Sequence, residues 1–280
     1  MPIPGDRVAA CPTREDRWLL RWLPFRVVPT FPSQDELDAI EPPDGRPSRG
    51  GLLAELGTAL QPARLVIGSR ALRQAPRGDG RTTYVLPGWK APEVSTLPIR
   101  RYLSYLGHEA RNWGLGVNQG DVIGVRDAMI GRIERERTDD DPVNLVGWSL
   151  GGVVGREIAR ARPDLVHRVV TYGSPVIGGP AHTVGAVSYP ETELERIRRL
   201  QRELDRASPI RRPITAIFTR QDTVVDWRAC IDRTSPDVRM VEVGSTHVGL
   251  GIDPDVWLVA AQALAERPRG GLAEGVPGTV

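Results

Sequence analysis

The chain has 280 residues, of which 40% are hydrophobic, so it can bury a large core in one α/β domain or in two smaller ones. Its net charge of +2 is too small to favour a nucleic acid as partner. A single lysine, Lys90, stands among the 37 basic residues, which argues against catalysis by a Ser–Lys pair.

The N-terminal part, residues 1–80, is rich in Pro, Gly and Arg and has helical patterns near 34–40, 50–60 and 63–72. It predicts a mainly helical extension that packs on the following domain. Trp18 and Trp22 share one short helical pattern. We expect this pattern either to be buried against the domain or to make peripheral contact with a membrane or lipid surface.

Targeting signals and cysteines indicate the compartment. The chain does not open on a charged segment followed by an apolar run, and no apolar stretch is long enough to span a bilayer. Cys11 and Cys230 fit no metal-site spacing. We expect two free thiols in a reducing cytoplasm, with a disulfide as the alternative.

Strand and helix patterns alternate from residue 82 onward. This alternation predicts an α/β domain, residues 81–270, with a reduced, roughly six-stranded parallel sheet and helices on both faces. Residues 271–280 are expected to form a flexible tail. Strands are predicted near 82–87, 109–113, 143–148, 167–172, 214–219 and 238–243, and helices near 96–106, 121–137 and 150–162.

Residues 176–208 are inserted between two predicted sheet strands. A helix within this insertion has Leu194, Ile197, Leu200 and Leu204 on one face. Ligands bind beyond the carboxyl ends of the strands in sheets of this kind. We therefore expect this apolar stripe to form a cap over that edge, and the alternative is an ordinary surface helix.

A serine turn follows the third predicted strand. Residues 143–152 read Val-Asn-Leu-Val-Gly-Trp-Ser-Leu-Gly-Gly, an apolar strand that turns into a helix through Gly-x-Ser-x-Gly. In this context the pattern is typical of a nucleophile elbow, which exposes the Oγ of Ser149 at the strand's carboxyl end. Gly147 and Gly151 let neighbouring backbone pass without a Cβ in the way. A plain strand–turn–helix corner is the alternative.

A serine nucleophile needs a base, and the chain has four histidines. His247 follows the strand 238–243 and precedes the last helix, where a base can reach back over the sheet. His108 and His167 open predicted strands, so we expect them to face solvent at the opposite end of the sheet. His182 lies in an irregular stretch that no strand positions. His247 is the predicted base.

The base needs a carboxylate that fixes its tautomer. Asp222 comes directly off the end of the strand 214–219, whereas Asp226 lies one turn further on and suits a helix cap. We predict Asp222 as the orienting group, with Asp226 as the alternative. The resulting chain order of Ser149, Asp222 and His247 is the order that hydrolases with a nucleophile elbow use.

Two backbone amides are predicted to stabilise an oxyanion. One is the N–H of Leu150, directly after the nucleophile. The other is the N–H of Trp89, because Gly88 allows close approach after the strand 82–87. A Pro-Gly turn that binds nothing is the alternative for this loop.

From about residue 82 to 266 the chain resembles the α/β-hydrolases, and within them the serine esterases and lipases with a compact core. The resemblance rests on residues 86–89, the elbow 147–151, Asp222 and His247. The segments 112–116, 222–227 and 246–250 also resemble those of a bacterial subgroup of hydrolases. The family often has His-Gly where this chain has Pro87-Gly88, so the oxyanion loop differs in detail.

These features predict a serine hydrolase that cleaves small-molecule carboxylic esters through an acyl-enzyme on Ser149, with no metal and no organic cofactor. An acyltransferase with the same triad is one alternative, and a non-catalytic binding or scaffold protein on the same fold is another. A dinucleotide site at 114–120 is disfavoured, because its third glycine is one residue late. The residues predicted to lie near an apolar acyl group are Trp148, Val176, Val224 and Val225.

Overall fold

The fold is described from a computed structural model, in residues 29–45, 47, 55, 57–59, 61–137 and 141–266. Trp18, Trp22, Cys11 and the predicted tail 271–280 lie outside these residues, as does most of the helical pattern at 50–60.

Six parallel strands form one sheet in the order β2-β1-β3-β4-β5-β6. The predicted six-stranded parallel sheet is confirmed, with each strand boundary within one residue of its prediction. The order reverses direction between β1 and β3, and the carboxyl ends of such strands border the crevice in which open sheets bind ligands. The strands are β1 (Thr82–Leu86), β2 (Glu109–Asn112), β3 (Val143–Trp148), β4 (Val166–Tyr172), β5 (Ile214–Phe218) and β6 (Val238–Glu242).

Helices cover both faces of the sheet, as predicted. One apolar core lies between the sheet and α4 and α5, and a second lies between the sheet and α2, α3 and α7. The helices are α1 (Gln34–Asp38), α2 (Gln61–Arg73), α3 (Leu97–Tyr105), α4 (Val122–Glu136), α5 (Leu150–Ala161), α6 (Glu191–Ala207) and α7 (Pro254–Ala265). Short 3₁₀ helices are Glu93–Thr96, Pro163–Leu165, Gly179–His182, Val184–Ser188, Trp227–Cys230 and Gly249–Ile252.

Burial on both faces explains why the central strands read as continuous apolar runs. In β3, Leu145 points into the core under α4 and α5, while Val146 points into the core under α3 and α7. In β5, Phe218 points into the core under α4 and α5, and Ile217 points into the core under α3 and α7. Each such side chain contributes about 1.5–3 kcal/mol by leaving water.

The described part of residues 1–80 packs on the sheet domain. α2 lies against α7, where a Cβ on Gly68 would come 3.1 Å from Pro254 Cβ. Leu37 of α1 joins the core under α4 and α5, and Thr30 pairs with Glu242 of β6 as an antiparallel bridge. α1 and α2 are the helices expected near 34–40 and 63–72.

The helix of the insertion 176–208 has one part of its apolar stripe buried and another part exposed. Of the four apolar residues on α6, Leu194 is buried with Ala181 and Ala186, whereas Leu200 and Leu204 are 40% and 42% exposed. Arg160 of α5 donates to Leu204 O at 3.2 Å and so holds the end of α6 on the flank of the domain. The apolar stripe is thus divided between burial and exposure, and the expectation that residues 176–208 cap the carboxyl edge stays a prediction.

A buried ion pair joins α5 to the loop after Trp227–Cys230. Arg156 Nη1 lies 2.5 Å from Asp232 Oδ2, and the two side chains are 4% and 1% exposed. Burial alone would raise the pKa of Asp232, but the Arg156 charge and hydrogen bonds from Ser235 and Thr234 outweigh it and lower the pKa to about 2. Removing one partner leaves an uncompensated buried charge.

Asp232→Asn should therefore lower the free energy of unfolding by about 3–5 kcal/mol at neutral pH. Because the folded-state pKa of Asp232 lies below its ordinary value of 3.8, its charge stabilises the fold above that value. This stabilisation is lost as the pH falls towards about 2, so the difference between wild type and variant should shrink in acid. Urea unfolding at neutral pH and in acid measures both effects.

The control is Asp164→Asn, which breaks the exposed pair between Arg162 and Asp164. It should change stability by less than about 1 kcal/mol at either pH. A loss for Asp232→Asn no larger than that of the control would contradict the assignment.

Candidate active site

Ser149 occupies the sharp turn between β3 and α5. Its backbone has φ 53° and ψ −123°, and Lys90 is the only other non-glycine residue with positive φ among the residues described. Such a conformation costs about 1–3 kcal/mol and persists where its surroundings enforce it. The Ser149 N–H donates to Tyr172 O at 2.8 Å, which ties the turn to the end of β4. Its side chain makes no capping hydrogen bond to α5.

Glycines let the chain pack tightly around this turn. A Cβ on Gly147 would lie 2.4 Å from Gly152 Cα, and a Cβ on Gly151 would lie 2.3 Å from Leu86 O at the end of β1. These neighbours are backbone atoms that cannot rotate away. The turn at Ser149 therefore requires glycine at both flanking positions, and it holds the end of β1 against the elbow.

His247 and Asp222 form a buried hydrogen-bonded pair. His247 Nδ1 lies 2.7 Å from Asp222 Oδ2, and the two side chains are 5% and 1% exposed. The other carboxylate oxygen, Oδ1, accepts the N–H groups of Val224 at 2.9 Å and Val225 at 2.7 Å. Both oxygens of Asp222 are thus occupied, and the loop after β5 wraps around its carboxylate. A carboxylate on Nδ1 leaves Nε2 as the nitrogen that can accept a proton.

Contacts with the strand ends bring His247 beside the serine turn. Trp148, which precedes Ser149, donates its indole N–H to His247 O at 3.2 Å, and the two rings are 5.8 Å apart. A Cβ on Gly173 would lie 3.2 Å from His247 Cε1. Gly173 directly follows Tyr172, whose carbonyl accepts the Ser149 N–H. The structure therefore brings Ser149, Asp222 and His247 together at the carboxyl edge of the sheet.

The alternative carboxylate serves a different purpose. Asp226 begins the 3₁₀ helix Trp227–Cys230, and its Oδ1 accepts the Arg228 N–H at 3.0 Å. A helix-capping role suits this position, since the side chain satisfies an amide at the helix start. Asp226 is therefore placed as a cap, and Asp222 is the carboxylate on His247.

Two of the remaining histidines, His108 and His167, lie at the opposite edge, at the amino ends of β2 and β4. His167 is at the amino end of β4, where burial and the nearby Arg81 charge lower its pKa to about 4. The expectation that His108 faces solvent is wrong: it precedes β2 but is 4% exposed, because its ring packs on Gly78. Burial lowers the pKa of His108. His182 Nδ1 lies 3.1 Å from Gly45 O.

Two backbone N–H groups border the serine without a partner among the residues described. They belong to Leu150, at the start of α5, and to Trp89, in the loop after β1. A Cβ on Gly88 would lie 3.3 Å from Ser149 Cβ, so this loop contacts the elbow directly. Asn118, which the sequence did not single out, holds this loop through two hydrogen bonds. Its side-chain amide donates to Pro87 O at 2.9 Å, and its backbone carbonyl accepts the Lys90 N–H at 2.8 Å.

The first part of the insertion reaches this loop. The Trp89 indole lies between Gly120 and Gly185, where added Cβ atoms would come within 3.2 Å and 3.1 Å of it. Gly185 belongs to Val184–Ser188, and Val184 donates its N–H to Val224 O at 2.9 Å. The short helix Val184–Ser188 thus connects the loop carrying Asp222 with the loop carrying Trp89. It lies closer to the site than α6 does.

The residues predicted to line the acyl site differ in exposure. Val176 and Val225 are buried at 4% and 1%, whereas Trp148 and Val224 are partly exposed. Two surface cavities of about 450 and 240 Å³ lie elsewhere, beside α4 and beside the starts of β1 and β2. Neither is lined by Ser149, so neither defines a substrate pocket.

The residues described show neither a metal-binding cluster nor a membrane-spanning helix. They contain no group of three or more His, Cys, Asp or Glu side chains that could hold a metal ion. Across the same residues, no helix combines the length and apolar character needed to cross a bilayer. Cys230 is a free, buried thiol whose pKa is raised by burial.

Comparisons with known proteins agree with the fold. A family model for the alpha/beta hydrolase fold matches residues 124–224. A search of curated proteins found no match. The solved structure of LipS and LipT, two metagenome-derived lipolytic enzymes, shares 14% identity and a TM-score of 0.51 over 68% of this chain and 94% of its own. Est1E from Butyrivibrio proteoclasticus, with bound ferulic acid, shares 12% identity and a TM-score of 0.51 over 65% and 86%.

At such identities the structural likeness shows the fold alone. Together with the family match across the elbow and the loop of Asp222, it supports the alpha/beta hydrolase fold for this chain. The fold class expected from the sequence is confirmed.

Gly151→Ala tests the packing of the elbow against β1. The new Cβ would lie 2.3 Å from Leu86 O, so we expect a loss of about 1–3 kcal/mol or more in the free energy of unfolding. Gly155→Ala in the same helix is the control. Its Cβ would lie 3.6 Å from Leu145 Cβ, which is an ordinary contact. The free energy of unfolding of this variant should therefore rise by about 0.5–1 kcal/mol. Equal effects in chemical unfolding would contradict this account.

Proposed function

We propose that this protein is a serine hydrolase that cleaves small-molecule carboxylic esters through an acyl-enzyme on Ser149. The observation that carries the proposal is the buried pair of His247 and Asp222 beside a serine held at positive φ. Nucleophile, orienting group and base stand in the loops at the carboxyl ends of β3, β5 and β6, and such a grouping activates a hydroxyl at neutral pH.

In this mechanism Ser149 Oγ attacks the ester carbonyl carbon while His247 Nε2 takes the hydroxyl proton. The carbonyl oxygen becomes negative and accepts the N–H groups of Leu150 and Trp89. When the tetrahedral intermediate collapses, the imidazolium gives its proton to the leaving alcohol. Water then attacks the acyl-enzyme with His247 again as base, which releases the acid and restores Ser149. Each oxyanion donor of this kind contributes about 10²–10³-fold in rate.

Asp222 serves this cycle by holding the imidazole in one tautomer and by stabilising the imidazolium. It remains ionised throughout. Its second oxygen is held by the Val224 and Val225 amides, so the carboxylate is fixed before substrate arrives. Such preorganisation lowers the barrier because the charged groups need not rearrange during the reaction.

An apolar acyl group suits the surroundings of the serine. Trp148 and Val224 are partly exposed at this edge, and the Trp89 ring is 39% exposed beside the elbow. Val176 and Val225 would support this surface from beneath. No step requires a metal ion or an organic cofactor.

An acyltransferase would use the same triad and pass the acyl group to an alcohol or thiol. Product analysis with added acceptor separates the two reactions. A non-catalytic scaffold on this fold is opposed by the intact pair of His247 and Asp222. Labelling of the purified protein by a fluorophosphonate probe decides between catalysis and scaffold, because the probe reacts only with an activated serine. Cytoplasmic location and peripheral lipid contact through Trp18 and Trp22 remain predictions.

Ser149→Ala should lower kcat for a p-nitrophenyl ester by about 10⁴-fold or more and abolish probe labelling, while the melting temperature stays nearly unchanged. His247→Ala should lose a similar factor. The double variant should be little worse than either, because the two residues act as one unit. Full activity in Ser149→Ala would rule out the mechanism.

Asp222→Asn should lower kcat by about 10³–10⁴-fold, because an amide can stabilise the wrong tautomer of His247. Asp226→Asn is the matched control, since it makes the same change four residues later on a side chain that caps a 3₁₀ helix. It should cost less than about tenfold and act mainly on stability. Steady-state kinetics and thermal melts of both variants measure this, and the reverse order would exchange the two roles.

A further inference from the structure

Four polar side chains before the first strand lie along the loop that carries His247. They are Glu55, Thr58, Gln61 and Arg64, three residues apart in sequence, and we refer to them as the N-terminal brace. Their contacts run along residues 244–248 in reverse order: Arg64 binds Gly244, Gln61 binds Ser245, Thr58 binds Thr246 and Glu55 binds His247.

Glu55 makes the contacts nearest to the pair of His247 and Asp222. Its Oε1 accepts the His247 N–H at 3.1 Å, and its Oε2 accepts the Val248 N–H at 2.9 Å. The same Oε1 accepts the hydroxyl of Thr223 at 2.8 Å, and Thr223 directly follows Asp222. One carboxylate thus joins the loop that supplies the base to the loop that supplies its orienting group.

The rest of the brace fixes this carboxylate to the domain. Gln61 Nε2 donates to Ser245 Oγ at 3.0 Å, and Thr58 Oγ1 lies 2.8 Å from Thr246 Oγ1. Arg64 donates to Gly244 O at 2.9 Å and pairs with Asp253 at 2.5 Å, and the Asp253 side chain is fully buried at the start of α7. The brace is therefore anchored at the end opposite to Glu55.

The inner side of the same loop is held by the sheet. Thr219, at the end of β5, donates its hydroxyl to Ser245 O at 2.7 Å. No such strand-end contact reaches the His247 amide among the residues described; its N–H donates to Glu55. Loops that join a strand to a helix sample several conformations unless their backbone groups are bound.

We propose that Glu55 is a positioning residue for His247. By binding the His247 and Val248 amides together with Thr223, it holds the imidazole at the distance and angle at which Nδ1 meets Asp222. The inference rests on the proposed function for its kinetic readout, although the geometry of the pair can be measured without any activity. Small displacements of a catalytic group cost about 10²-fold in rate, so a residue outside the chemistry can have a large effect.

The test is Glu55→Gln in the full-length protein. The amide keeps the size of the side chain but puts an NH₂ group where one oxygen had accepted hydrogen bonds, so at least one of the three partners loses its acceptor. We expect kcat for a p-nitrophenyl ester to fall by about 10–100-fold, with KM changed by less than about threefold. We also expect the low-field proton resonance of His247 Nδ1–H to broaden or disappear.

Glu136→Gln is the matched control. Its carboxylate accepts hydrogen bonds from Tyr84 at 2.8 Å, Arg111 at 2.9 Å and Arg132 at 2.7 Å, away from the serine. It should lower the melting temperature and leave both kcat and the His247 resonance unchanged. Thr223→Val, which removes only one partner of Glu55, should lower kcat by about 2–10-fold and serves if Glu55→Gln does not fold.

The proposal requires both readouts to change in Glu55→Gln. A variant that loses stability like the control but keeps kcat or the resonance would overturn it, since the brace would then act on stability alone. If the wild-type protein neither labels with a fluorophosphonate nor hydrolyses esters, the proposed function fails, and the resonance by itself decides whether Glu55 positions His247.

Discussion

The turn at Ser149 keeps its left-handed backbone because the segments around it have no side chains to hold them apart. A Cβ on Gly147 would lie 2.4 Å from Gly152 at the start of α5, and a Cβ on Gly151 would lie 2.3 Å from Leu86 O at the end of β1. The Ser149 amide is bound by Tyr172 O at the end of β4. This close packing determines where the serine Oγ, the Leu150 amide and the loop of Trp89 lie relative to one another.

The pair of His247 and Asp222 completes the arrangement from the loops after β5 and β6. Its two side chains are almost fully buried, so their hydrogen bond is stronger than it would be in water, and its partners must be satisfied. The Val224 and Val225 amides satisfy the carboxylate, while Glu55 satisfies the backbone of the histidine. Residues distant in sequence thus stabilise a single pair.

The insertion contacts the loops of the candidate site through its short helix Val184–Ser188. Val184–Ser188 connects the loops of Asp222 and Trp89, and the Trp89 ring packs on Gly185. α6 lies on the flank, where Arg160 holds its end and two of its leucines face solvent. A Cβ at position 185 would lie 3.1 Å from the Trp89 ring, so a side chain there would shift this ring by a few tenths of an ångström.

The sequence alone determined the six strands, their parallel arrangement and the residues at their ends, because apolar runs and a glycine-flanked serine are local signals. It also distinguished Asp222 from Asp226 by distance from a strand. Only the tertiary structure decided that α6 lies beside the domain and that Glu55 lies on the loop of His247. These depend on contacts between residues up to 193 positions apart. The regular spacing of Glu55, Thr58, Gln61 and Arg64 carries no local signal of the partners that these side chains meet.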